Sequence, residues 1–175
     1  MSNFVVDVEA DGPCPGLYSM VCLGAVKVDG DFKETFYAQF KPITDNWIPD
    51  ALEVSGFTRE EFENFPVDNL ESMIQFRDWV QQANGDGRPT MWSDNIAFDW
   101  QFVNYYCHYY LKSNPFGFSG RRIGDYYCGT KKNVGARWKY LRKTVHDHDP
   151  VNDAKGNAEA LWHMLHINFP KEARA

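Results

Sequence analysis

The stretch Asn3-Phe4-Val5-Val6-Asp7-Val8-Glu9-Ala10-Asp11-Gly12 sets the reading of the whole chain. Residues 3–8 form a short β-branched run that ends in acids. That is the pattern of a buried strand delivering its last residues to a sheet edge. In a strand, residues two apart share a face, so Asp7 and Glu9 project together, with Asp11 joining them if the strand continues. Carboxylates crowded at the end of a buried strand are costly unless a cation neutralises them. Hard divalent ions prefer such oxygen ligands. The plainer reading is a charged strand end meeting a loop, and this stretch alone does not decide between the two.

Outward from that strand the order of elements reads as α/β. Residues 19–28 and 32–40 are two more strand candidates, joined by the hairpin turn Val28-Asp29-Gly30-Asp31. Short helical pieces at 48–54 and 59–62 flank Ser55-Gly56. A longer helix at 67–82 carries Leu70, Met73, Ile74, Phe76, Trp79 and Val80 at helical spacing. Residues 89–92 read as a strand and 97–111 as an aromatic-rich helix closed by Ser113-Asn114-Pro115. A basic helix is expected at 135–144. The final helix, with Asp149 as N-cap and Pro150 at its first position, should run to about Ile167. No repeat or linker interrupts the 175 residues, so one domain spanning 1–175 is expected.

Two further motifs carry acids. Asn95-Ile96-Ala97-Phe98-Asp99 follows the 89–92 strand and puts Asp99 in a first helical turn, where the helix dipole favours a carboxylate. His148-Asp149-Pro150-Val151-Asn152-Asp153 puts a loop histidine before the last helix and an acid one turn into it. Taken singly, these also read as a helix cap and a surface histidine.

Bulk properties narrow the class. Hydrophobic residues make up 43% and charged residues 24%, as in a water-soluble globular protein. No apolar run approaches the ~20 residues that span a membrane, and the acidic N-terminal stretch has no secretory character, so a cytoplasmic location is expected. The cysteines Cys14, Cys22, Cys107 and Cys128 form no Cys-x-x-Cys pair and read as reduced thiols. Net charge is −6, yet between Arg121 and Lys143 eight basic residues face the single acid Asp125, so this segment is +7 and the rest −13. Such a stripe is either a solvated helical face or a track for phosphates.

Asp-x-Glu on the first strand, Asn-x-x-Phe-Asp centrally and His-x-x-x-x-Asp near the end together resemble the DEDDh exonuclease family. The resemblance covers nearly the whole domain in order. His146 is a rival histidine, but only His148 has four residues between it and Asp153. The run from Asp7 to Met20, Asp-Val-Glu-x-Asp-Gly-Pro-x-Pro-Gly-x-Tyr-Ser-Met, is similar to a small stand-alone subgroup of mycobacterial-type exoribonucleases.

The resemblance implies an RNase H-like fold with a mixed central sheet flanked by helices. It implies 3′→5′ hydrolysis of RNA, or of single-stranded DNA, to nucleoside 5′-monophosphates with two Mg²⁺ or Mn²⁺ ions. Asp7, Glu9, Asp99 and Asp153 would be the metal ligands, with Asp7 bridging. His148 would be the general base, a role that suits imidazole because its ordinary pKa of ~6.5 leaves a neutral fraction near pH 7. Ala10 and Asp11 would approach the terminal sugar, and Met20 and Phe98 would flank its base, with Asn95 nearby. Many relatives carry Thr where this chain has Asp11. A binding module of the same fold without chemistry is the alternative, and the aromatic 100–110 face suggests a homodimer.

Overall fold

A computed structural model describes residues 2–166. Among the described residues five strands form one sheet: β1 (Asn3–Ala10), β2 (Met20–Lys27), β3 (Thr35–Gln39), β4 (Thr90–Ser93) and β5 (Arg121–Arg122), in the spatial order β3-β2-β1-β4-β5. β1, β2 and β3 pair antiparallel, whereas β1–β4 and β4–β5 pair parallel, so the sheet is mixed as expected. The turn after β2 is fixed by Asp29, whose Oδ1 accepts the backbone N–H of Asp31 and Phe32 at 3.1 and 3.0 Å. Gly30 supplies the positive φ of 89° that this turn requires.

Helices cover both faces. On one side α3 (Asn69–Asn84) and α4 (Ile96–Tyr106) bury Met73, Phe76, Phe102 and Tyr106 against Phe4, Val6 and Val8 of β1. Asp68 caps α3 by accepting the Glu71 N–H, and α4 continues into a wider π-type turn at Cys107–Leu111. The short α1 (Pro49–Val54) and α2 (Arg59–Glu63) build a satellite cluster around Leu52 and Phe62 against Val21 and Cys22. On the opposite side α5 (Ile123–Lys131) and α6 (Pro150–His166) pack Tyr127, Ala154, Ala158 and Leu161 against Val5, Val26 and Trp92. The expected end of the last helix at Ile167 lies outside the described residues. All four cysteines are free, with Cys22 and Cys107 buried. Among the described residues no helix is long and apolar enough to cross a membrane.

One expected element is absent. Residues 135–144 form no helix, only a single 3₁₀ turn at Lys139–Leu141. The reason is a competing partner for the backbone. The N–H groups of Lys143 and Thr144 donate to the Glu159 carboxylate of α6 at 2.9 and 2.8 Å, and Trp138 is buried in the core beside α5. The segment is therefore strapped to α6 in an open conformation.

α6 meets the sheet at very close range. Gly24 of β2 lies opposite Asp7 of β1 in the antiparallel register. A Cβ built at Gly24 would stand 2.4 Å from both the Pro150 carbonyl oxygen and the Val151 nitrogen, so only glycine admits this approach. Ala in place of Gly inside a strand ordinarily helps by lowering chain entropy. Here Gly24→Ala should instead destabilise the fold by ~1–3 kcal/mol through overpacking against backbone. A denaturant midpoint at or above that of the parent chain would show that α6 does not depend on this contact.

Candidate active site

The period-two geometry of β1 sends Val5, Asp7 and Glu9 toward the α6 face, while Phe4, Val6 and Val8 enter the opposite core. α6 begins at Pro150 with Asp149 as its cap, the Asp149 Oδ1 accepting the N–H of Val151 at 2.9 Å and of Asn152 at 3.0 Å. Asp153 sits one turn in and is almost wholly buried. Asp7, Glu9 and Asp153 consequently offer carboxylate oxygens that all lie within 4.8 Å of one another.

Asp99 stands slightly apart in the first turn of α4. Its Oδ1 accepts the Val8 N–H at 2.9 Å, and its Oδ2 accepts the Ser93 hydroxyl. It thus ties α4 and β4 to the acidic end of β1. Burial pushes its carboxyl up to about 7, against the pull of the Ser93 and Val8 hydrogen bonds.

Two histidines overlook the trio. His148 Nδ1 lies 3.9 Å from Glu9 Oε1, and its backbone adopts the left-handed φ of 63°, an unusual conformation for a residue with a side chain. His146 Nδ1 lies 2.5 Å from Asp153 Oδ2, and the two imidazole rings meet edge to face at 4.4 Å. Both rings are about half exposed. Spacing singled out His148; the structure brings His146 closer still to an acid, which a count of residues along a loop does not reveal.

The electrostatics call for a cation. Burial, then the neighbouring charges of Asp153 and Asp99, raises Glu9 from its ordinary 4.5 to about 8. Burial and the surrounding carboxylates raise Asp7 well above its ordinary range, opposed by the nearby charge of Arg142. Asp153 Oδ2 is buried without an aligned hydrogen bond. Three converging oxygens, one of them with only the His146 ring beside it, fit a hard divalent ion such as Mg²⁺ or Mn²⁺.

This arrangement has known counterparts. The chain is 36% identical over 165 residues to the 3′–5′ DNA exonuclease Cap18 of Escherichia coli, covering 88% of this chain and 86% of that protein. The fold superposes on the nuclease domain of 3′hExo, a DEDDh family member bound to rAMP, with a TM-score of 0.69 at 17% identity, covering 94% of this chain and 91% of that one. The chain belongs to the DEDDh 3′–5′ exonuclease family. It also shares its RNase H-like fold with E. coli Exonuclease I bound to a dA16 oligonucleotide, at a TM-score of 0.62 and 18% identity, covering 90% of this chain and 39% of that one. No protein-family model matches the chain.

The residues expected to handle the nucleotide fare unevenly in this exonuclease. Met20 is fully buried in the core with Phe40 and Tyr106, so it cannot flank a base and is a packing residue. Ala10 is likewise buried at the end of β1. Asp11 is inaccessible: Ser19 N–H donates to its Oδ1 at 2.5 Å, and Arg59 Nη1 bonds its Oδ2 at 3.2 Å. As it stands it meets Arg59 rather than a sugar hydroxyl. Arg59 also donates to Glu63 and to the Thr44 carbonyl, so Asp11 anchors α2 and the 41–48 loop to β1. Phe98 is half-buried against Phe102, and Asn95 is exposed at the start of α4. Those two keep a path to a ligand.

The raised carboxyls dictate a pH dependence. Glu9 and Asp99 hold protons to about 8 and 7 in the metal-free fold, against ordinary values of 4.5 and 3.8. The folded state therefore binds more protons than the unfolded one across that window, and its stability falls as pH rises from about 4 to 8. Thermal melts in EDTA should show this slope, and Mn²⁺ should flatten it by replacing protons as the counter-charge. Glu9→Gln should reduce it without metal, leaving the part due to Asp99 and Asp7. An identical slope in EDTA, in Mn²⁺ and in Glu9→Gln would refute the electrostatic account.

Proposed function

We propose that this exonuclease hydrolyses phosphodiester bonds from the 3′ end of DNA in a metal-dependent reaction that releases nucleoside 5′-monophosphates. The observation that carries the reading is the convergence of Asp7, Glu9 and Asp153 within 4.8 Å beneath two half-exposed histidines. Two divalent cations, Mg²⁺ or Mn²⁺, would there activate a water and stabilise charge on the leaving 3′-oxygen. Asp7, Glu9 and Asp153 would hold them. Asp99, already bonded to Ser93 and the Val8 N–H, would act from the edge of the set. His148, beside Glu9 and open to solvent, would take the proton of the attacking water.

DNA is favoured over RNA because the 36% identical relative is a DNA exonuclease. The resemblance of residues 7–20 to exoribonucleases and the rAMP held by 3′hExo favour the second reading, RNA. Exposed Arg121, Arg137 and Lys143 could follow a phosphate backbone. The basic segment is thinner than its charge implies, since Arg122 pairs with Asp125, Lys139 with Asp94, and Arg142 is turned inward to Asp153. A homodimer through the face where Tyr105 stacks on Tyr109 is a further element of the proposal.

Matched single-stranded, duplex and 3′-overhang DNA and RNA, digested side by side with Mg²⁺ and Mn²⁺, test the substrate. Mononucleotides should appear fastest from a DNA. Asp7→Asn and Asp153→Asn should abolish release with the fold intact. His148→Ala should slow it ~10²–10⁴-fold, the usual worth of a general base. His146→Ala should have the smaller effect; the reverse ranking would transfer the base role to His146. Turnover unchanged in a folded Asp7→Asn chain would take the acidic trio out of the chemistry, whereas DNA binding by the parent chain with no metal-dependent product would favour the binding-module alternative.

A further inference from the structure

Arg142 has no part in the family motif, and the basic segment that contains it reads as surface. In the fold its side chain is only 9% exposed, and Nη2 donates to Asp153 Oδ1 at 2.9 Å. The same Nη2 lies 3.5 Å from the Asp153 backbone carbonyl. A guanidinium so covered cannot be a phosphate contact.

Its place is built by α6. A Cβ at Gly156, one turn beyond Asp153, would stand 2.7 Å from Arg142 Nε and 3.1 Å from Nη2, so the arginine lies where only glycine leaves room. The next two residues are strapped down by the bonds from Lys143 N–H, Thr144 N–H and the Thr144 hydroxyl to Glu159. Arg142 even accepts a buried Nε with no hydrogen-bond partner to keep this position. An arginine recruited only to neutralise charge has no need of so specific a berth.

Asp153 has two oxygens, and Arg142 takes one. Oδ2 keeps no aligned hydrogen bond; it faces the half-exposed His146 ring, whose Nδ1 lies 2.5 Å away on the side open to the cleft. We infer that Arg142 is a positioning residue for the metal site, holding Asp153 by Oδ1 so that Oδ2 is presented to the cation. The inference rests on reading Asp153 as a metal ligand. Residues that orient a ligating carboxylate typically contribute 10–100-fold to metal affinity.

Mn²⁺ titrations by calorimetry on EDTA-stripped protein test it without relying on turnover. Arg142→Met should weaken Mn²⁺ binding about 10–100-fold and raise the half-saturating Mn²⁺ for DNA digestion by a similar factor. Arg142→Lys, which keeps the charge but loses the planar fork, should recover only part of the loss. Gly156→Ala covers the case in which Arg142→Met does not fold. It keeps the arginine and favours the helix, yet its Cβ would stand 2.7 Å from the guanidinium Nε and 2.8 Å from the Thr144 carbonyl, so it shifts Arg142 together with its strap and should weaken Mn²⁺ binding as well. Asp153→Asn separates the two levels of the argument. If it loses Mn²⁺ while folded Arg142→Met or Gly156→Ala binds as the parent chain does, Arg142 is merely structural and the inference falls. If Asp153→Asn itself binds Mn²⁺ normally, the metal-ligand reading fails instead.

Discussion

The approach of α6 to the sheet at Gly24 is the contact on which both fold and site depend. Gly24 pairs across from Asp7, and the Pro150 backbone occupies the space where any side chain on Gly24 would lie. The small residues Ala154 and Ala158 continue the close packing along the helix against Val5 and Val26. Because the helix starts there and nowhere higher, Asp153 one turn later lands among the acids of β1. The cap at Asp149 fixes that starting point, and proline at the first helical position reinforces it.

Such closeness sets packing against electrostatics. The apolar faces on either side of β1 favour burying the strand, and burial is what makes its acids expensive to ionise. The chain supplies partial remedies from three directions. Val8 N–H and Ser93 serve Asp99, Arg142 serves Asp153, and the same guanidinium favours the charged form of Asp7. None of these removes the repulsion between Glu9 and Asp153. The remaining deficit is one that a divalent ion would correct, so metal binding there would be partly relief of a conflict that folding created.

Much of this was legible in the sequence because it rests on local periodicity. The strand rule alone put Asp7 and Glu9 on one face, and Asp149-Pro150 marked the start of α6 to the residue. Illegible features were those decided by partners distant in sequence. Residues 135–144 carry helix-forming basic residues, but the backbone donors of the last two are claimed by Glu159. Asp11 looks like a third strand-end acid until Arg59, 48 residues away, is found paired with it. Met20 was placed beside a base by family pattern, and the sheet buries it. α5 was missed because its glycines at 124 and 129 weaken the helical signal and Arg122 offers no side-chain cap. Arg142 and His146 carry no spacing signature; a glycine at 156 was the only trace of the first.

The strap between Glu159 and the 143–144 backbone has a mechanical meaning. Residues 145–149, with both histidines, leave α6 at its third turn and return to it at its cap. Loop and helix therefore form one body, a closed handle whose two ends are fixed to the same rod. Asp7 and Glu9 belong to another body, the sheet. A small slide of the handle along the sheet would change the gap between Asp153 and Asp7 while leaving the histidines in step with Asp153. The width of the cleft is thus set where the helix meets the sheet, and it is read at a single glycine.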